Sequence, residues 1–276
     1  MFNIPFLSNA TGPGLIPPPK SFADNNQAPW YIIQTRHPEL LSLYQGGIKI
    51  SYKKGANGGE SGPALFANPY GIFPSLNITV SYQWYLPPTF NFVKAGKAGM
   101  GITLGLKRGE HSSGGDYVKD TGSVRMMWQK PEGNRAILKG YVYFPAGGGV
   151  DSAMQMLNLQ GPNSKAVLEG DDRTGSNFWY NQRASERKDW GMYVYKGRWN
   201  SISFTVKLNS IGKKDGIFSM TVNGRTNTVR DVVWRTNPQV LIRDLYLVSI
   251  FGGSDDSYNV ANDNEFSIVK NIRLMK

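Results

Sequence analysis

The chain has 276 residues, 40% hydrophobic and 18% charged, with no Cys and only two His, His37 and His111. That composition is globular and leaves no room for disulfides, thiol nucleophiles, or Cys-rich or multi-His zinc sites. Thirty-one Lys and Arg against twenty Asp and Glu give a formal charge of +11, which favours polyanionic partners without choosing among them.

Residues 1–45 are rich in Pro, Asn and Gly and include Pro17-Pro18-Pro19, so they are expected to form an extended arm that is ordered only where it docks. The first residues, Met1-Phe2-Asn3-Ile4-Pro5, show no basic region followed by an apolar stretch, and no signal peptide is expected. From 46 to 276 the chain is expected to be one domain. Short runs of alternating apolar and polar residues from Ile48 onward are separated by Gly, Pro, Asn and Asp clusters, the pattern of a β-sandwich or barrel. Strands are predicted at 77–86, 123–128, 138–144, 200–208, 217–223, 245–251 and 266–274. In Ser201 to Leu208 every even position is apolar and every odd one polar, one face buried and the other wet. Gly147-Gly148-Gly149 and the polar segment from Gly161 to Asp189 read as long loops. The longest apolar run, Leu241 to Phe251, is broken by Arg243 and Asp244, so no helical membrane span is expected.

The hairpin predicted from Gly122 to Pro145 is where chemistry concentrates. With its turn near Glu132-Gly133, Arg125 falls opposite Tyr141 and Ser123 opposite Tyr143, and one face carries Ser123, Arg125, Lys139, Tyr141 and Tyr143. Tyr is also a common strand residue and Arg a common solvated one, so this pattern alone fits scaffold as well as site. The Gly-rich stretch Phe92 to Gly101 reads as a loop but has neither phosphate-loop spacing, and there is no G-x-S-x-G elbow or pair of carboxylates on the hairpin face. A nucleotide site, an esterase triad and a two-carboxylate glycosidase therefore fall away. A basic face with tyrosines suits β-elimination from a polyuronate instead. Cations neutralise the carboxylate and acidify the adjacent C5 proton, and a phenol or amine near other positive charge can remove it without metal or cofactor.

Four segments resemble the family 14 polysaccharide lyases, the β-jelly-roll enzymes acting on alginate and glucuronate polymers. Phe92 to Gly101 is similar to the family's Gly-rich lysine loop. Gly122-Ser123-Val124-Arg125-Met126-Met127-Trp128 with Gly140-Tyr141-Val142-Tyr143-Phe144-Pro145 is similar to its Ser-x-Arg and Tyr-x-Tyr strands. Gly197-Arg198-Trp199-Asn200, Val206-Lys207-Leu208-Asn209 and Asp215-Gly216 follow, then Phe251-Gly252-Gly253-Ser254. The resemblance spans about residues 75–276. It implies an all-β fold, a β-jelly-roll sandwich of two antiparallel sheets with long loops, and a lyase of polyuronates.

The resemblance also implies roles. Lys97, Ser123 and Arg125 would bind and neutralise the uronate, and Tyr141 and Tyr143 would do the acid and base work. Lys94 and Lys139 are expected to bind substrate, and Lys94 rivals Lys97 because Ala98-Gly99 stands where the family has Leu-Pro. The expected partner is an acidic polysaccharide of an algal cell wall, with no nucleic acid, membrane, metal or cofactor. The family's viral branch places the expected protein on a virion or released from the host. The rival expectation is a virion structural or attachment protein that keeps the jelly roll, binds wall polysaccharide without cutting it, and contacts capsid proteins through the arm.

Overall fold

In the computed structural model the described residues are 14–23, 27–113, 118–145, 165–168, 192–253 and 255–276. The Gly147–Gly149 loop, Ser254, most of the 161–189 segment and the first thirteen residues of the arm lie outside them.

Fifteen strands make two antiparallel sheets, and no α-helix occurs among the described residues. In chain order they are β1 Ile32–Arg36, β2 Leu41–Tyr44, β3 Gly47–Ser51, β4 Ala64–Ala67, β5 Asn77–Leu86, β6 Ala95–Gly105, β7 Gly122–Glu132 and β8 Arg135–Tyr143. There follow β9 Lys165–Leu168, β10 Tyr193–Tyr195, β11 Arg198–Lys207, β12 Gly216–Val222, β13 Arg225–Val232, β14 Leu241–Val248 and β15 Phe266–Met275. One sheet has eight strands in the order β1-β4-β14-β6-β7-β8-β10, with β9 also on β8; the other has seven, β13-β12-β11-β5-β15-β3-β2. This is the jelly-roll sandwich expected.

Alternation explains how the sheets meet. Along β5 the even residues Ile78, Val80, Tyr82, Trp84 and Leu86 are buried, and along β11 Ile202, Phe204 and Val206 are buried; they pack against Met100, Ile102, Val124, Trp128 and Leu138 of the other sheet in one core. An aromatic cluster closes one end. Trp128 lies 5.8 Å from Trp84 and 5.2 Å from Phe251, and its indole N–H donates to the Phe92 carbonyl at 2.7 Å.

The sheets reach back into the stretch expected as arm. β1 pairs with β4 and β2 with β3, Leu15 bridges Arg273, and Ile16 donates its N–H to Ile272. Residues 14–23 and 27–45 thus dock on their own domain. The Gly-rich stretch is also different from expectation: Ala95–Gly105 is a fully buried central strand, not a loop. Its glycines make room for bulky neighbours. A Cβ on Gly96 would sit 2.1 Å from the Trp128 ring, and one on Gly101 would sit 3.2 Å from Arg125 Cγ and 2.4 Å from the Val124 carbonyl.

Candidate functional site

The outward face of the eight-stranded sheet assembles the site by register. One row crosses five strands after β1: Gln34, Phe66, Tyr246, Gly101, Arg125 and Tyr141 are successive partners. Beside it run Asp244, Thr103, Ser123 and Tyr143 on one flank and Lys97, Met127 and Lys139 on the other. The expected hairpin register is the one observed, with Gly133 at positive φ in the turn. Between Lys97 and Gly101 strand β6 bulges, spending four residues where β7 spends two, which brings Lys97 opposite Met127, two positions from Arg125 and on its face.

Arg125 is the centre. It is only 4% exposed, its Cζ lies 5.2 Å from the Tyr141 ring centroid and 5.1 Å from that of Tyr143, and neither Nε nor Nη2 has a hydrogen-bond partner. A buried guanidinium with two unanswered nitrogens is costly, and a carboxylate accepting two parallel bonds is the group that answers it. Lys97 Nζ stands 4.0 Å over the Tyr141 ring and 3.2 Å from Met127 Sδ. The two phenolic oxygens are 3.3 Å apart, Tyr143 buried and Tyr141 half-buried. Two cations and two phenols are thus gathered on one face. Of the two lysines weighed from sequence, Lys97 stands in this cluster, whereas Lys94 is exposed and lies over the Tyr258 ring at 5.4 Å, outside it.

Two expected contacts look different in three dimensions. Ser123 is fully buried and its hydroxyl donates to the Ser112 carbonyl at 2.8 Å, so it ties down the β6–β7 connection. Lys139 is on the right face but 1% exposed. Burial by its neighbours, invisible in alternation, separates both from solvent.

Sequence reading missed the wall of the site. His111 sits over the stacked pair Phe66 and Tyr246, whose centroids are 4.4 Å apart, at 4.8 Å from Phe66 and 5.3 Å from Tyr246. Its loop is clamped by Asp244, 0% exposed, which accepts from Arg108 Nε at 2.9 Å and from the Gly109 N–H at 2.8 Å. A lone Asp inside the apolar run Leu241 to Phe251 was the available signal, because a buried carboxylate needs donors. The loop Phe251-Gly252-Gly253 borders Lys97: a Cβ on Gly252 would come 3.9 Å from Lys97 Nζ, and the strand and loop exchange Lys97 N–H to Ile250 and Gly252 N–H to Ala95.

Burial holds the His111 imidazole below its ordinary value of 6.5, and the positive Arg125 and Arg36 push the same way against the Gly109 carbonyl and Asp244. The folded imidazole therefore stays neutral where an unfolded one takes a proton, so stability is lost as pH falls below about 6.5. Replacing His111 with Phe keeps the stack and removes that titration. Thermal melts from pH 8 to pH 5 should show a smaller acid-side fall for the variant than for the wild type; parallel curves would contradict the assignment.

A family model described as polysaccharide lyase 14 matches residues 44–271. Exolysin of Paramecium bursaria Chlorella virus 1 is 28% identical over 83 residues, which cover 30% of this chain and 13% of that protein's length. The chain also superposes on an alginate lyase from a Chlorella virus with a TM-score of 0.67 at 20% identity, covering 90% of this chain and 93% of that one. The marine PL-14 alginate lyase of Aplysia kurodai gives a TM-score of 0.66 at 23% identity, covering 89% and 90%. These structural likenesses establish the fold.

Proposed function

The chain belongs to the polysaccharide lyase 14 family, and we propose that it cleaves uronic-acid polymers by β-elimination at the face built around Arg125. The observation that carries this reading is the buried Arg125 guanidinium, with two unpartnered nitrogens, set between Lys97, Tyr141 and Tyr143. Those nitrogens receive the uronate carboxylate and spread the charge that builds on it when the C5 proton leaves. The enzyme's relatives by fold are alginate lyases, which act on polymers of this kind.

Tyr141 is the phenol that reaches substrate, because Tyr143 is 2% exposed and lies behind it at 3.3 Å. As phenolate, Tyr141 takes the C5 proton; the C5–H electron pair forms the C4–C5 double bond while the C4–O bond breaks. The departing C4 oxygen recovers a proton from the same phenol, and Tyr143 donates to Tyr141 throughout, holding its oxygen in place. The products are a new reducing end and a chain ending in an unsaturated uronate. The scheme calls for no metal.

One phenol serving both steps requires the C5 hydrogen and the C4 oxygen on the same side of the ring. Mannuronate and glucuronate meet that condition and guluronate does not. The test is the ultraviolet absorbance of the unsaturated product from polymannuronate, polyguluronate and polyglucuronate. Absorbance should rise on the first and third and much more slowly on the second. A preference for polyguluronate would overturn the single-phenol scheme, and a flat trace on all three the lyase reading itself.

A further inference from the structure

The cleft uses few of the chain's cations, and the seven-stranded sheet carries others with almost no carboxylate among them. Strands β2, β3, β5, β11, β12 and β15 contain Lys49, Arg198, Lys207, Lys270 and Arg273 and not one Asp or Glu; only β13, at the sheet edge, has a carboxylate, Asp231. The middle of this sheet's outward face is mostly hydroxyls and amides, with Thr79, Ser81, Gln83, Ser203, Thr205 and Ser219 on it. Thr79 and Thr205 share a hydrogen bond at 2.8 Å and Ser219 and Thr228 one at 2.9 Å, extending across neighbouring strands.

At one end the hydroxyls give way to rings. Lys49, Ile268, Tyr85 and Trp199 are successive partners across β3, β15, β5 and β11, on the face opposite Trp84 and Val269; Lys49, Tyr85 and Trp199 are half-buried and Ile268, between them, is covered at 5% exposure. Three strand spacings make this strip about 14 Å long. Tyr85 and Trp199 lie 5.3 Å apart, Lys270 Nζ is 3.9 Å from the Trp199 ring, and Lys49 Nζ is 4.7 Å from the Phe266 ring. The nearest carboxylate in sequence, Glu265, is buried and accepts from Asn91 and Asn262, so it does not offset these lysines at the surface.

We propose that this face is a second, non-catalytic binding surface for the acidic polysaccharide, a uronate chain lying along the strip from Lys49 to Trp199. The apolar faces of its sugar rings rest on Tyr85 and Trp199, and its carboxylates take Lys49 and Lys270 as counter-ions. Charge complementarity selects an anionic chain, since no carboxylate in the six strands opposes it. The rings of Tyr85 and Trp199, inclined 44° to each other, favour a polymer that exposes ring faces, which a stacked nucleic-acid duplex does not. The identity of the polymer rests on the lyase reading above. The surface would hold the enzyme to insoluble wall while the opposite sheet cuts.

The test uses the full chain carrying Arg125→Ala, which removes the cleft's grip on uronate together with its turnover, run by affinity electrophoresis through gels containing polymannuronate or polyglucuronate. Adding Lys49→Gln and Lys270→Gln should weaken retardation about tenfold, the sum of two exposed ion pairs. In an otherwise wild-type chain the same pair should leave kcat/KM on the trisaccharide within about twofold, while cutting release from an insoluble polyuronate gel by about the tenfold lost in binding. Unchanged retardation would overturn the surface. Equal retardation by duplex DNA, lost in the same proportion, would also overturn it in favour of a general polyanion face. If the wild type cleaves nothing but retardation still depends on Lys49 and Lys270, the lyase reading fails and the surface stands.

Discussion

Arg125→Met is expected to reduce turnover by about 10³-fold while leaving the melting temperature unchanged or higher. The two halves of this result come from one fact. In the free protein the guanidinium is 4% exposed with Nε and Nη2 unpartnered, so the fold carries the cost of a buried cation answered only in part, by the two tyrosine rings. Methionine has a similar unbranched stem and no charge. It removes that cost and gives up only the contacts with the rings of Tyr141 and Tyr143, about 0.5–1 kcal/mol each. Substrate reverses the balance, because a carboxylate bound in two parallel bonds needs both nitrogens at once.

Arg125→Lys keeps the charge but not the fork and should recover only part of the rate. The companion measurement is the melting temperature with and without a uronate oligomer. The wild type should be stabilised by the oligomer and Arg125→Met should not. A methionine variant that melts well below the wild type would show that the guanidinium is a structural support, and the site would have to be sought elsewhere.

Tyr141→Phe is expected to lower kcat by about 10² to 10⁴, the usual worth of a positioned acid–base group, with KM changed only a few-fold. The ring stays, and with it the contact with Lys97 at 4.0 Å; only the oxygen that handles the proton is lost. Tyr143→Phe should cost about tenfold, because its hydroxyl reaches the reaction only through Tyr141. Steady-state kinetics on polymannuronate decides the matter. If Tyr143→Phe were the more damaging of the two, the buried phenol would be the proton carrier and the roles would exchange.

Much of this site was legible because strand alternation is a strict period. Once a turn was placed near Gly133, the partners Arg125 with Tyr141 and Ser123 with Tyr143 followed, and the observed register is that one. The Gly-rich stretch misled because glycine commonly marks a loop. Here its missing side chains let a central strand pass beneath Trp128 and Arg125, a role visible only when those neighbours are in place. Ser123 and Lys139 show the limit of the same reasoning, since alternation assigns a face but not the depth at which a side chain sits on it.

Residue types and their period were enough to determine an all-β sandwich or barrel and a basic, tyrosine-bearing face on the hairpin of β7 and β8; the choice of a jelly roll of two antiparallel sheets came from the family resemblance. The fold decided where the two lysines sit, since the bulge in β6 brings Lys97 opposite Met127, two positions from Arg125, while Lys94 lies before the strand and over Tyr258. It also brought His111, Asp244 and the Phe251–Gly253 loop to the site from distant parts of the chain. The division has a physical cause. Alternation and turn preference are local properties of a strand, whereas burial, unanswered hydrogen bonds and the neighbours of a charge are set by strands that meet only when the sheets close.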